Sequence, residues 1–174
     1  SLANYVPQSG IFDMPGLFAD TDHANKTVRA FLPDYNKYLE EQGLLALDIS
    51  CPFFRGLSSN VKIQSPEDFK DMSIRCAENK YYMEFYRNLG CSPTPLAYSE
   101  LFMALQQGLV DAQDNPLSVV IAAKFHEVQD YYIDINAISY VFPVLINKAY
   151  YDSLDPRYQE LLTEFAVSFD DNYL

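Results

Sequence analysis

A chain of 174 residues that is 49% apolar and 15% aromatic is far from a disordered profile, and is long enough for one domain or two small lobes sharing a core. Its net charge of −12 argues against nucleic acid and anionic membrane surfaces as partners, because both demand a basic face. No apolar run approaches the ~20 residues of a membrane span, so direct insertion is not expected.

The first periodic stretch, Thr21 to Leu32, reads as a helix with Ala24, Val28 and Phe31 on one side. Pro33 suits the first turn of a second helix running to Gln42, and Gly43 supplies its stop. Leu44-Leu-Ala-Leu-Asp-Ile then reads as a short buried strand, followed by a second extended piece from Phe53 to Asn60 that carries Arg55. Ser65-Pro-Glu-Asp has the look of a capping box. The helix it opens must be short, because Met72-Ser-Ile-Arg-Cys reads as strand.

Tyr82, Phe85, Tyr86 and Leu89 make a helical face that Asn79 caps and Gly90 ends. Ser99 is placed to cap a helix with Leu101, Ala104 and Leu105 inside, and Leu109-Val-Asp-Ala reads as a minimal strand. Asn115-Pro116 opens a further helix, with Leu117, Val120, Ile121, the stem of Lys124 and Val128 on its buried side. Pro143 makes Val141 to Ile146 an edge or crossover strand. Asp155-Pro156 caps a last helix whose apolar side is Tyr158, Leu161, Leu162, Phe165 and Phe169. Strand–helix alternation of this kind signals an α/β architecture.

The chemistry-bearing residues are sparse. Cys51, Cys76 and Cys91 contain no C-x-x-C pair and read as three buried thiols, with one disulfide plus a free thiol as the alternative. Neither His23 nor His126 has a partner at ligand spacing, so neither a metal nor a cofactor is expected. No phosphate loop or nucleophile elbow is present, and no enzyme activity is expected.

Arg75 lies where a strand gives way to a loop, the place at which α/β sheets gather ligands. A guanidinium there matches a carboxylate in two parallel hydrogen bonds, although a strand arginine facing solvent fits the pattern equally well. Asn115 reads first as a helix cap, and Tyr98 as an apolar staple before Ser99. Arg55 has an ordinary surface ion pair as its plain alternative. Glu78 and Asn79 border the loop after Arg75.

Ser65 to Asn147 resembles the substrate-binding proteins of TRAP (tripartite ATP-independent periplasmic) transporters. The resemblance rests on Ser65-Pro-Glu-Asp-Phe-Lys-Asp-Met-Ser-Ile-Arg75, on Leu89-Gly-Cys-Ser-Pro-Thr-Pro-Leu-Ala-Tyr-Ser-Glu-Leu-Phe, and above all on Ala104-Leu-Gln-Gln-Gly-Leu-Val-Asp-Ala-Gln-Asp-Asn-Pro116. Lys124-Phe-His-Glu-Val-Gln-Asp-Tyr131 and Leu145-Ile-Asn147 extend it.

It implies a two-lobed periplasmic-binding-protein fold, with a mixed sheet flanked by helices in each lobe and crossover strands at a hinge that closes on an organic acid. Arg75 would bind the ligand carboxylate, Arg55 would assist, Asn115 and Tyr98 would line the site, and Glu78 would edge it. Residues 1–52 and 141–174 would belong to one lobe and 53–140 to the other. The opening units of the first lobe and the distal C-terminal helices of the family would lie outside this stretch.

The implied protein is periplasmic or otherwise extracytoplasmic, free or lipid-anchored at full length, and hands its ligand to membrane permease subunits. A ligand-sensing module of a signalling system on the same fold is the alternative. Two departures stand out: Ala137 where many members carry His, and Asp114 in place of the commoner Glu.

Overall fold

The computed structural model describes residues 2–173, with the side chains of 4 and 170–173 outside that description. The chain divides into two compact units. One holds residues 1–12, 18–53 and 139–174, and the other holds 13–17 and 54–138.

In the first unit, helix α1 (Thr21–Glu40) presents Ala24, Val28, Tyr35 and Leu39 as its buried stripe. Asp20 caps it by accepting the His23 amide at 2.7 Å. The expected break at Pro33 does not occur, since the proline lies inside one continuous helix. Its missing N–H removes a single backbone bond, and the stripe keeps its period through that point.

Two asparagines on α1 bond to the backbone of strand β1 (Leu44–Ser59), Asn25 to both polar groups of Cys51 and Asn36 to both of Ala46. β1 is one strand where the sequence suggested two extended pieces. Its residues 44–53 belong to this unit and 54–59 to the other.

Strand β5 (Tyr131–Asn147) leads into α5 (Lys148–Asp152) and α6 (Pro156–Tyr173). Asp155 caps α6 as expected, taking the Arg157 amide at 2.9 Å. The expected burial of its apolar side is not found: Tyr158, Leu161 and Phe165 are half-exposed or more, while Ala166 is buried. The short side chain is the one that allows a neighbour close to the helix axis.

The second unit is built on a mixed sheet, in a five-stranded order β3-β2-β4-β1-β5. Here β2 is Ser73–Cys76, β3 Ser92–Pro95 and β4 Ala112–Asn115. β2 runs parallel to both β3 and β4, and β4 pairs antiparallel with β1. β5 is terminal in the order, which suits Pro143, and β3 at the opposite edge accommodates two prolines of its own.

One face carries an apolar cluster of Leu57, Ile74, Cys76 and Ala112, covered by Tyr82 and Tyr86 of helix α2 (Lys80–Asn88). Asn79 caps α2 through the amides of Tyr81 and Tyr82. A second cluster joins Leu101, Ala104 and Leu105 of α3 (Leu101–Gln106) to Val110, to Val120 of α4 (Leu117–Ala122) and to Phe125.

Several local expectations shift here. Ser99 does not cap α3; Tyr98–Glu100 form a 3-10 turn ahead of it. The strand expected at Leu109–Ala112 lies later, at Ala112–Asn115, because the ladder to β2 begins at Ile74 opposite Ala112. α4 buries only Val120, with Leu117 and Ile121 exposed, and it stops before Lys124, whose φ of 58° leaves the helical range. The three cysteines are buried and free, in line with the thiol reading.

Candidate functional site

Three of the five expected site residues converge where β2 and β4 end and the antiparallel β1 passes. The register places Thr94, Arg75, Gln113 and Ser58 in one row across β3, β2, β4 and β1, with their side chains on one face of the sheet. Asn115 is two residues further along β4 and emerges on that same face. Asp114 alternates to the opposite face beside Leu57, and Arg55 shares that face two residues before Leu57. All of them but Thr94, which is half-buried, are buried.

Arg55 is fully engaged within the protein. Its Nε donates to Asp114 Oδ2 at 3.1 Å, and Nη2 donates to the Asp114 carbonyl at 2.7 Å and to Asn115 Oδ1 at 3.1 Å. The Tyr82 ring lies 5.5 Å from its guanidinium carbon. Burial works against the charge of Arg55, and the adjacent Asp114 carboxylate more than offsets it, holding the guanidinium above its ordinary value. Asp114 itself is 0% exposed; burial pushes its carboxyl up while Arg55 pulls it down.

Asn115 is not the helix cap the sequence suggested. Pro116 occupies that position without a side-chain bond, and the Asn115 amide donates to Gln113 Oε1 at 2.6 Å while accepting from Arg55. Gln113 Nε2 continues the chain to Ser58 Oγ at 2.7 Å, and Ser58 donates to Gln129 at 3.1 Å. The buried amides thus have their orientation fixed from both ends.

Arg75 is different. It is 5% exposed, and its Nε and Nη2 both donate to the Leu96 carbonyl, at 3.1 and 2.8 Å. Among the described residues no carboxylate forms an ion pair with it. Burial lowers its guanidinium from the ordinary value, with Asp114 opposing that and Arg55 adding to it.

Tyr98, two residues beyond Leu96, is 52% exposed and sets its ring edge-on to Phe125 at 6.1 Å. Glu78 is exposed in the loop between β2 and α2, outside this network. Among the described residues no group of His, Cys, Asp and Glu could hold a metal ion. Cys76 is a poor nucleophile here, since burial pushes its thiol up to about 11.

The family model of bacterial extracellular solute-binding proteins, family 7, named DctP, matches residues 1–173. The chain belongs to this family. A solute-binding protein of Verminephrobacter eiseniae is 35% identical over 167 residues, covering 95% of this chain and 50% of that protein. The 2,3-diketo-L-gulonate-binding periplasmic protein of Escherichia coli is 32% identical over 168 residues, covering 95% of this chain and 51% of the relative.

Among solved structures, a TRAP periplasmic solute binding protein from Polaromonas bound to D-erythronate superposes with a TM-score of 0.88 at 32% identity. It covers 96% of this chain and 56% of that one. The chain therefore spans about half the length of the curated relatives it matches. The family is one of transport solute-binding proteins, and the fold is that of its TRAP members.

Within this family member, sequence reasoning named Arg75, Arg55 and Asn115 but missed the residues that hold them. Asp114, Gln113, Ser58, Gln129 and Tyr82 are recruited across long separations, 59 residues in the case of Arg55 and Asp114. One signal was readable: a Gln-Asp-Asn run too polar for a core strand must be either exposed or fully paired, and an acid there requires a cation.

Proposed function

We propose that this chain is the ligand-capturing part of an extracytoplasmic solute-binding protein that takes up an organic acid and delivers it to the membrane permease subunits of a TRAP-type transporter. The observation that carries the reading is Arg75, a buried guanidinium whose hydrogen bonds among the described residues all go to one carbonyl. A cation withdrawn from water without a counter-charge is costly, and a ligand carboxylate supplies the missing charge through the remaining edge of the fork. Family membership supports the transport role, and the D-erythronate bound by the Polaromonas neighbour supports an acid as ligand.

In this reading the unit of residues 13–17 and 54–138 is lobe II, and the other unit contributes to lobe I. Asn115 and Tyr98 line the ligand beside Arg75, with Glu78 at the rim and Arg55 close behind. The protein works in the periplasm, free or tethered by a lipid anchor. No chemical step is required of it.

A thermal-shift screen of monocarboxylates, dicarboxylates, sugar acids and α-keto acids identifies the ligand class, and calorimetry then measures Arg75→Ala and Arg75→Lys. Removing one partner of a buried ion pair costs about 3–5 kcal/mol, which is about two to three and a half decades of affinity. Arg75→Lys also binds poorly, because an ammonium cannot reproduce the planar fork. Affinity of Arg75→Ala within about threefold of wild type would overturn the assignment.

A further inference from the structure

We propose that Asp114 is a positioning residue that also sets ligand charge: as the bonded counter-ion of Arg55, it leaves Arg75, among the described residues, as the buried guanidinium of this sheet with no carboxylate bonded to it, which therefore takes a single carboxylate group. The inference rests on the acid-binding reading above.

The argument begins with the two arginines. Both are buried, at 7% and 5% exposure, and Arg55 disfavours the charge of Arg75. Two cations buried in one sheet repel unless something inside the protein offsets one of them. Asp114 does so, with its carboxylate 3.1 Å from Arg55 Nε and no exposure to solvent. In its hydrogen bonds the compensation is selective, and Asp114 acts on Arg75 only through space. Asp114 lies on the Arg55 face of the sheet, while Arg75 leaves the neighbouring strand on the other face, in the row of Gln113 and Ser58.

The same carboxylate fixes geometry. It takes Arg55 Nε, and this directs Nη2 to the Asp114 carbonyl and to Asn115 Oδ1. Asn115 is thereby held with its amide nitrogen on Gln113. A ligand carboxylate thus meets one fork that holds no carboxylate among the described residues, that of Arg75 with one edge on the Leu96 carbonyl, beside polar groups already oriented. The other acids nearby do not alter this count: Asp13 is taken by Asn79 and Tyr82 on the α2 side, and Glu78 is exposed.

The test uses acid pairs that differ by one carboxylate at equal chain length, D-erythronate with meso-tartrate and D-gluconate with D-glucarate. Binding is measured by calorimetry on wild type, Asp114→Asn and the charge-neutral pair Arg55→Gln/Asp114→Asn. Wild type prefers the monoacid of each pair that binds, by about tenfold or more. Asp114→Asn leaves two uncompensated cations and shifts that ratio at least about tenfold towards the diacid. The double variant restores the net charge and recovers the wild-type ratio.

A residue important only for folding would weaken both acids alike and leave the ratio unmoved. That result in folded Asp114→Asn would overturn the proposal, as would diacid preference in wild type. Where Asp114→Asn does not fold, the double variant decides: retained monoacid preference supports the proposal and lost preference overturns it. Absence of binding by every acid in wild type would instead overturn the acid-binding reading, and this inference with it.

Discussion

The two faces of the sheet in the second unit solve the problem of a buried arginine in opposite ways. On the α2 face, Arg55 is set into an apolar cluster with Asp114 bonded to it and Tyr82 over it. On the other face, Arg75 is buried too, and among the described residues it bonds a carbonyl alone. The first arrangement is complete within the protein; in the acid-binding proposal the second takes its counter-charge from a ligand. A fold can carry a charged pair as part of its interior, but a lone buried cation is a cost that only a use repays.

The largest expected effect comes from breaking the complete arrangement. Asp114→Ala leaves Arg55 buried without its counter-charge and should lower unfolding stability by about 3–5 kcal/mol, read from denaturant midpoints at unchanged m-value. Arg75→Met should differ in kind. It deletes an uncompensated charge while keeping much of the side-chain volume, so stability should stay within about 1 kcal/mol of wild type or rise, although acid binding is lost. A loss with Arg75→Met as large as with Asp114→Ala would mean that Arg75 has a structural partner, and the contrast between the faces would collapse.

These two faces also separate what local sequence discloses from what it hides. The Asn79 cap, the Tyr82–Tyr86 stripe and the strand around Ile74 follow from spacing of three or four residues, and spacing is readable. β4 was misplaced because Gln113-Asp114-Asn115 has no apolar alternation. Its burial depends on Arg55 and Ser58, which reach it only once β1 pairs with β4. β3 has no readable strand signal, because Ser-Pro-Thr-Pro breaks strand rules that edge positions relax. Asn115 was assigned to capping because Asn-Pro is a good local signal, and a tertiary bond to Arg55 overrode it.

The Arg75 face can be probed sterically as well. Gly56, paired with Asn115 across β1 and β4, lies directly under the Tyr132 hydroxyl. A Cβ there would collide with that ring and come within 2.9 Å of the Ile133 carbonyl. Because backbone cannot yield as a side chain does, Gly56→Ala should cost about 1–3 kcal/mol. If the cost comes from the ring, Gly56→Ala/Tyr132→Phe should recover part of it, since the hydroxyl is the first group struck.

The smallest effect sharpens the comparison between a buried carboxylate and an exposed one. Asp68 is at the surface, where its Oδ2 accepts the Gln64 and Ser65 amides, each at 2.8 Å. Those backbone donors lower its carboxyl below the usual value, whereas burial shifts Asp114 upward. A carboxyl lowered in the folded state contributes stability above its unfolded value, about pH 4, and loses it as pH falls through the folded value. Thermal midpoints of Asp68→Asn should therefore lie slightly below wild type at neutral pH and converge with it below about pH 4. A gap that persists undiminished at pH 2 would place the effect of Asp68 in packing and not in its charge.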